Sequence, residues 1–203
     1  MEQQILILNG SPRAPISNSK AYAEQFMENC GSMAVYDTIT AQNHEALYAK
    51  MEQFSDVLLV FPLYVDSLPT PVLSFLKEWE AHLPNKRPII SVMINCGFLE
   101  YAQNDVAIEM VKLFCKRNGF PFGSSLQIGS GEAILNTPFR FLVNKEIKKL
   151  AKAIINKQYR SQKVTMPLPT SLFVKASTKY WIAYGEKNGV SEAAMRTMDI
   201  EET

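Results

Sequence analysis

The segment ILILNGSPRAPISNSKAY, residues 5–22, decides how the rest of the chain is read. Ile5 to Leu8 is an apolar run of strand length, and Asn9-Gly10 ends it. A turn and linker holding two prolines runs to Asn18, after which apolar residues recur at helical spacing from Ser19 to Cys30, as Tyr22, Phe26 and Cys30 beside Ala23 and Met27. A strand, a polar loop and a helix in immediate succession put Ser11, Arg13, Ser17, Asn18 and Ser19 where unpaired helix N–H groups point. Hydroxyl, amide and guanidinium donors so arranged converge on an anion, and a phosphate suits them. Asn18 or Ser19 also reads simply as the helix N-cap. The run contains neither G-x-G-x-x-G nor G-x-x-x-x-G-K-[ST], so a dinucleotide fingerprint and a nucleoside triphosphate loop are both disfavoured.

Outward from this segment the same alternation continues. Met33–Tyr36 is a second strand, and Leu47, Met51 and Phe54 give His44–Phe54 one apolar face. Val57–Phe61 is continuously apolar, as strands covered on both faces are. Pro69 and Pro71 open a helical stretch, Val72–Trp79, and Pro88–Ile94 is a fourth strand with proline only at its entrance. Val106–Phe114 is helical with Val106, Met110, Leu113 and Phe114 on one side, Gln127–Gly129 (from Ser124 at the earliest) is the weakest strand, and Lys145–Tyr159 carries Ile147, Leu150, Ala151, Ile154 and Ile155 inward. Five strands separated by crossover-length helices predict an α/β sandwich around a mainly parallel, doubly wound sheet. Beyond Lys163 two prolines precede a helix over Thr170–Lys187 bearing Leu172, Phe173, Tyr180, Trp181 and Tyr184. Its aromatic load suits either packing on its own sheet or a subunit contact.

Composition narrows the function classes. The chain has 203 residues, 47% of them apolar, with 21 Lys plus Arg against 20 Asp plus Glu and a formal charge of +1. One core-sized domain accommodates this length. A near-neutral charge supplies no long-range field for a polyanion, so no nucleic-acid partner is expected. No stretch approaches a membrane span, and the opening MEQQILILNG is too short for a signal-peptide core, which makes a cytoplasmic address the expectation. Cys30, Cys96 and Cys115 form no C-x-x-C pair, and neither His44 nor His82 has a second ligand at useful spacing, so no metal site, disulfide or iron–sulfur cluster is expected. The two histidines read as surface or capping residues. Cys96 reads as a small residue beside a ligand or in the core, and Glu132 either caps a helix or reaches across a dimer.

Open parallel sheets take ligands outside the carboxyl ends of their strands. The third strand ends in Pro62, Leu63, Tyr64 and Val65, and the fourth in Asn95, Cys96, Gly97 and Phe98. Compact and aromatic residues of this kind border a flat, largely apolar ring, with backbone groups reading its edge and Gly97 allowing close approach. A phosphate at the first loop and a planar heterocycle at the later two describe FMN.

On GSPRAPISNS at 10–19, FPLYVDSLPTPVLSFLKEW at 61–79 and INCGF at 94–98, the chain resembles the flavodoxin-like NAD(P)H-dependent FMN reductases and quinone reductases, in the branch related to iron–sulfur flavoproteins. The resemblance covers about residues 3–160. It implies a three-layer flavodoxin-like sandwich with a five-stranded parallel sheet of order 2-1-3-4-5 over residues 1–160, and an aromatic C-terminal helical extension over 161–203 that packs or contacts a second subunit. It implies that Ser11, Arg13, Ser17, Asn18 and Ser19 hold the FMN phosphate, that Pro62, Leu63, Tyr64 and Val65 border the isoalloxazine, and that Asn95, Cys96, Gly97 and Phe98 border its other side. The implied activity is transfer of hydride or electrons from NADPH or NADH to a quinone, free flavin or other small electrophilic acceptor. The resemblance further implies that the flavin carries the chemistry with no catalytic side chain, and that the chain forms a homodimer. A flavodoxin-type electron carrier and a non-enzymatic binding or regulatory protein are the alternatives. The sequence departs from the cluster-bearing branch in having no cysteine between 31 and 95, and from a common family loop in having Val65-Asp66-Ser67 after the third strand.

Overall fold

The structure is a computed structural model that describes residues 4–13 and 16–197. Its strands are β1 (Ile5–Asn9), β2 (Ala34–Thr38), β3 (Asp56–Pro62), β4 (Ile89–Asn95), β5 (Phe122–Ile128) and β6 (Ser161–Val164). They form one sheet in the order β2-β1-β3-β4-β5-β6, every pairing parallel. The helices between them are α1 (Asn18–Glu28), α2 (His44–Met51), α3 (Thr70–Ala81), α4 (Asp105–Asn118) and α5 (Arg140–Ile155). The chain runs outward from β1 to β2 and then back past β1 to β3, so the order reverses between β1 and β3.

Strand alternation divides the apolar residues between the two faces. Leu6, Leu8, Val57, Leu59, Phe61, Ile90, Val92 and Ile94 belong to one core with Val72, Phe75, Leu76 and Trp79 of α3 and with Val111 and Phe114 of α4. The buried stripe of α4 is Ala107, Ile108, Val111, Phe114 and Cys115, leaving Val106 and Leu113, expected on the inner face, exposed. Ile5, Ile7, Leu58 and Val60 are equally buried but lie at the alternate positions, on the face where α1 packs with α5. Burial on both faces is why β1 and β3 are apolar without a polar beat. On the α2–α4 face Trp79 is the hub of an aromatic cluster, its ring 4.5 Å from Phe120, 5.6 Å from Phe114 and 5.7 Å from Phe75. His44 joins this cluster, 5.4 Å from Phe75 and edge-on to it. It is therefore a core residue and not the surface or capping residue expected, with Nδ1 2.7 Å from the carboxylate of Glu78.

The sheet has six strands where five were expected. β6 is four residues long, reads Ser-Gln-Lys-Val and buries only Gln162, so it offers no apolar run for sequence periodicity to detect. It is an edge strand, held to β5 from Ser125↔Ser161 to Ile128↔Val164. β5 itself starts at Phe122, earlier than expected, because its centre is Ser124 and Ser125 rather than branched apolar residues. Those small residues answer a close approach: the Ser124 N–H donates to Ser91 Oγ at 3.0 Å, and a Cβ on Gly123 would stand 2.6 Å from that same oxygen.

By contact the described chain divides into two compact units, one ending at Met166 and one starting at Pro167. The second consists of α6 (Thr170–Lys187) and a short α7 (Glu192–Met195) folded back on it. Within this unit Gly185 is the buried residue of α6, and it is small of necessity, since a Cβ there would meet Met195 Sδ at 2.3 Å. Tyr180, Trp181 and Tyr184 are in mutual ring contact and each about half exposed. No helix among the described residues is long and apolar enough to cross a membrane.

Candidate functional site

The parallel register brings four strand ends level. Asn9 pairs with Val60, Pro62 with Asn95, and Asn95 with Ile128. The loops that follow β1, β3, β4 and β5 therefore open at the same edge, and they enclose a cavity of about 560 Å³. Its lining includes Ser11, Arg13, Ser17, Asn18 and Ser19 from the first loop, Pro62, Leu63 and Tyr64 from the second, and Asn95, Cys96 and Gly97 from the third. Val65 and Phe98 do not line it. Val65 stands at the tip of its turn, 98% exposed, and Phe98 is half exposed beyond Gly97.

In the first loop the hydroxyls are oriented by the backbone. The Ser11 N–H donates to Asn9 Oδ1 at 3.0 Å and the Arg13 N–H to Ser11 Oγ at 3.3 Å, so Ser11 Oγ is already an acceptor and has its proton to donate. Ser17, not Asn18 or Ser19, is the N-cap of α1: its extended backbone turns Oγ onto the Lys20 N–H at 3.1 Å. Asn18 and Ser19 are then the first two residues of the helix, whose N–H groups have no intrahelical partner. Ser19 is buried, and its Oγ accepts from Asn95 Nδ2 at 2.9 Å. Gly10 lets this loop lie against α3, because a Cβ there would be 2.1 Å from Val72 Cγ2.

The second loop turns back in two residues. Tyr64 and Ser67 exchange backbone hydrogen bonds, and Val65 and Asp66 between them have φ of 49° and 54°. Positive φ at both central positions is the geometry of a type I′ turn, which favours Asn-Gly over a β-branched residue. In the third loop the Leu63 N–H donates to Asn95 O at 2.8 Å, joining the β3 and β4 ends. Cys96 Sγ is buried, 3.8 Å from the carbonyls of Phe98 and Glu100 and 3.5 Å from Asn104 Nδ2. Burial pushes its thiol above the usual range, against the opposing effect of the Phe98 and Asn104 contacts. Such a thiol is a small buried donor and not a nucleophile.

A fourth wall comes from the segment between β5 and α5, through Glu132, Leu135, Asn136 and Arg140. It is held tightly. Gly131 N donates to Cys96 O at 2.7 Å, Ser130 N to Phe98 O, and the Tyr22 hydroxyl to Gly131 O. Neither Gly129 nor Gly131 has room for a side chain: a Cβ would lie 2.7 Å from Leu99 O in the first case and 2.8 Å from Asn95 Cβ in the second. Tyr22 is buried, and that burial drives its phenol far above the ordinary range despite the nearby charge of Arg140. The phenol is thus a neutral strut between α1 and the fourth wall.

No protein-family model matches the sequence, and no curated protein is similar to it. Solved structures are similar in fold. An NADPH-quinone reductase from P. pentosaceus superposes with a TM-score of 0.59 at 15% identity over 73% of this chain and 98% of that one. The Trp repressor binding protein from Bacillus subtilis gives 0.58 at 14% over 74% and 99%. An FMN-dependent NADH-azoreductase from Bacillus anthracis, in complex with FMN, gives 0.58 at 13% over 76% and 100%. The chain has the flavodoxin-like fold. In a flavodoxin-like sheet the reversal of strand order lies between β1 and β3, and the cavity opens at that point, where such sheets take ligands.

Sequence reasoning passed over Ile16, Ala21, Leu135, Asn136 and Arg140, and left Glu132 open. The available signal was at the start of α5. Thr137-Pro138 is a helix-entry pattern, and with it the helix begins at Arg140 rather than Lys145.

Proposed function

We propose that the chain is an FMN-dependent oxidoreductase that takes electrons from NADPH or NADH and delivers them to a quinone, a free flavin or another small electrophilic acceptor. The observation that carries this reading is the division of one cavity into two chemistries. Ser11, Arg13, Ser17, Asn18 and Ser19 make a polar, cation-bearing end, and Pro62, Leu63, Tyr64, Cys96 and Gly97 make a compact, largely apolar one. A ligand with a phosphate at one end and a flat ring at the other matches both. The buried hydroxyls fit the group independently of any relative: Ser11 and Ser19 already accept hydrogen bonds and so present protons, and the first N–H groups of α1 face the same space.

When bound, FMN supplies the redox chemistry, accepting a hydride and returning electrons to an acceptor. The protein residues bind and orient. Arg13 and the α1 N-terminus would hold the phosphate, and Asn95 fixes Ser19 while its carbonyl fixes Leu63, so the loops after β3 and β4 stay in register. Tyr64 and Gly97 would border the ring at the apolar end. No general base is needed, which agrees with a lining whose ionisable groups are Arg13, Arg140, Glu132, Tyr64 and the raised thiol of Cys96. The half-exposed aromatic face of α6, with Leu172, Tyr180, Trp181 and Tyr184, is the surface assigned here to pairing of two copies.

Purified protein titrated with FMN is expected to quench the flavin's fluorescence, and anaerobic NADPH or NADH is expected to bleach the bound flavin, with colour returned by a small quinone. Absence of FMN binding would overturn the flavin reading. Binding with bleaching only by a protein donor would replace the enzyme by an electron carrier.

A further inference from the structure

We propose that Arg140 is the second cation of the cavity's anion end, so that the anion taken there is a dianionic phosphomonoester held by Arg13 from the β1–α1 loop and by Arg140 from α5. Arg140 is the first residue of α5 and lines the same cavity as Arg13. Neither guanidinium stands in an ion pair among the described residues, although the carboxylate of Glu132 belongs to the same lining. Two charge-assisted forks are thus left for a ligand.

Charge balance gives the ligand its class. A phosphomonoester carries about −1.5 to −2 at neutral pH. Arg13 alone offers one positive charge against it, and Arg140 supplies the second; Glu132 of the same lining is exposed and pairs with neither guanidinium among the described residues. The helices reinforce the same sign. α1 and α5, of 11 and 16 residues, both begin at the cavity, and neither has an acidic residue in its first turn. The cap of α5 is Phe139, which has no side-chain acceptor; the Arg140 and Leu142 N–H groups donate to the carbonyls of Thr137 and Phe139, at 3.1 and 2.9 Å, so α5 contributes its dipole and the Arg140 side chain. Tyr22, within the field of Arg140, is kept neutral by burial and adds no opposing charge.

The wall that carries Arg140 is also preorganised. Tyr22 holds Gly131 from α1, the Gly131 N–H is bonded to Cys96 O, and the Ile134 N–H donates to Ser130 O at 2.9 Å. The start of α5 is therefore tied both to α1 and to the end of β4, and its guanidinium is carried on a fixed base.

The proposal rests on the flavin reading only in taking FMN as the molecule that brings the phosphate, and the test separates the two. Wild type, Arg13→Ala, Arg140→Ala and Arg140→Lys are titrated with FMN and with riboflavin, which lacks the phosphate. Arg140→Ala is expected to weaken FMN about tenfold or more and to leave riboflavin unchanged, with Arg140→Lys in between. Equal losses for both flavins, or an unchanged FMN affinity, would overturn the proposal. If wild type binds neither flavin, the flavin reading fails and the assignment of Arg140 is read with inorganic phosphate. A thermal midpoint raised by phosphate in wild type but not in Arg140→Ala supports it, and an equal response in both sinks it. Arg140 is exposed, so its truncation leaves the core intact.

Discussion

Asn95 Nδ2 donates to Ser19 Oγ at 2.9 Å, binding the last residue of β4 to the first turn of α1 across the floor of the cavity. Both side chains are buried, and Asn95 Nδ2 also reaches Phe61 O at 3.3 Å. Asn95→Ala leaves the buried Ser19 Oγ without its donor, and Ser19→Ala leaves Asn95 Nδ2 with only the longer bond to Phe61 O, each at a cost of about 1–3 kcal/mol. Asn95→Ala and Ser19→Ala are each expected to destabilise by that amount and to combine with a coupling of at least about 0.5 kcal/mol. Urea midpoints of the two single variants and the double variant measure it. Strict additivity would mean that the contact carries no energy of its own.

Three glycines near the cavity make opposite predictions under one substitution. At Gly131 a Cβ would stand 2.8 Å from Asn95 Cβ, and at Gly10 2.1 Å from Val72 Cγ2, whereas at Gly97 it would meet nothing within 4 Å. Gly10→Ala and Gly131→Ala are expected to cost about 1–3 kcal/mol by overpacking, and Gly97→Ala to stay within about 0.5 kcal/mol of wild type. Under the proposed function Gly97→Ala still weakens FMN, because Gly97 lines the cavity and a methyl there would take up ligand space. Thermal midpoints together with FMN titration separate these effects, and a strongly destabilised Gly97→Ala would contradict the open geometry.

The sequence was most legible where chemistry and periodicity coincide. β1, β3 and β4 were readable because burial on both faces demands unbroken apolar runs, and the three loops after them because each mixes polar and compact residues at a strand end. β6 and the first half of β5 were not, since Ser161-Gln162-Lys163 and Gly123-Ser124-Ser125 satisfy the sheet through backbone pairing and close approach, which periodicity does not register. Arg140 was lost with the helix start that carries it. His44 shows the converse: a polar residue at a helix start becomes a core residue because Phe75 and Glu78 of another helix supply its packing and its partner.

The turn at Val65-Asp66 holds two non-glycine residues at positive φ, at 49° and 54°. Val65 is 98% exposed, so no burial compensates its backbone. Residues in such conformations cost on the order of 1 kcal/mol or more each. Replacing the pair by Asn-Gly, through Val65→Asn and Asp66→Gly, is expected to raise stability by about 1–2 kcal/mol. A denaturation curve with unchanged slope and a higher midpoint would register it. A lower midpoint would show that Val65 makes contacts in solution that offset its strain.

The buried thiols of Cys30 and Cys115 tie the stability of the fold to alkaline pH. Burial pushes both Cys30 and Cys115 up to about 12. In the unfolded chain a thiol ionises near its ordinary value of about 8.5. Above that pH the unfolded state releases protons that the folded state still holds, so stability is fully present below it and falls as pH rises toward 12. The slope is on the order of 1 kcal/mol per pH unit for each thiol. Tyr22, raised by the same cause, adds to the loss once ordinary phenols begin to ionise. Stability measured by urea denaturation should therefore decline from about pH 9 upward. Cys30→Ala with Cys115→Ala should start from a lower stability near neutrality, having lost two packed side chains, yet decline less steeply. An identical slope in the double variant would show that the thiols are not the groups that hold protons in the folded state.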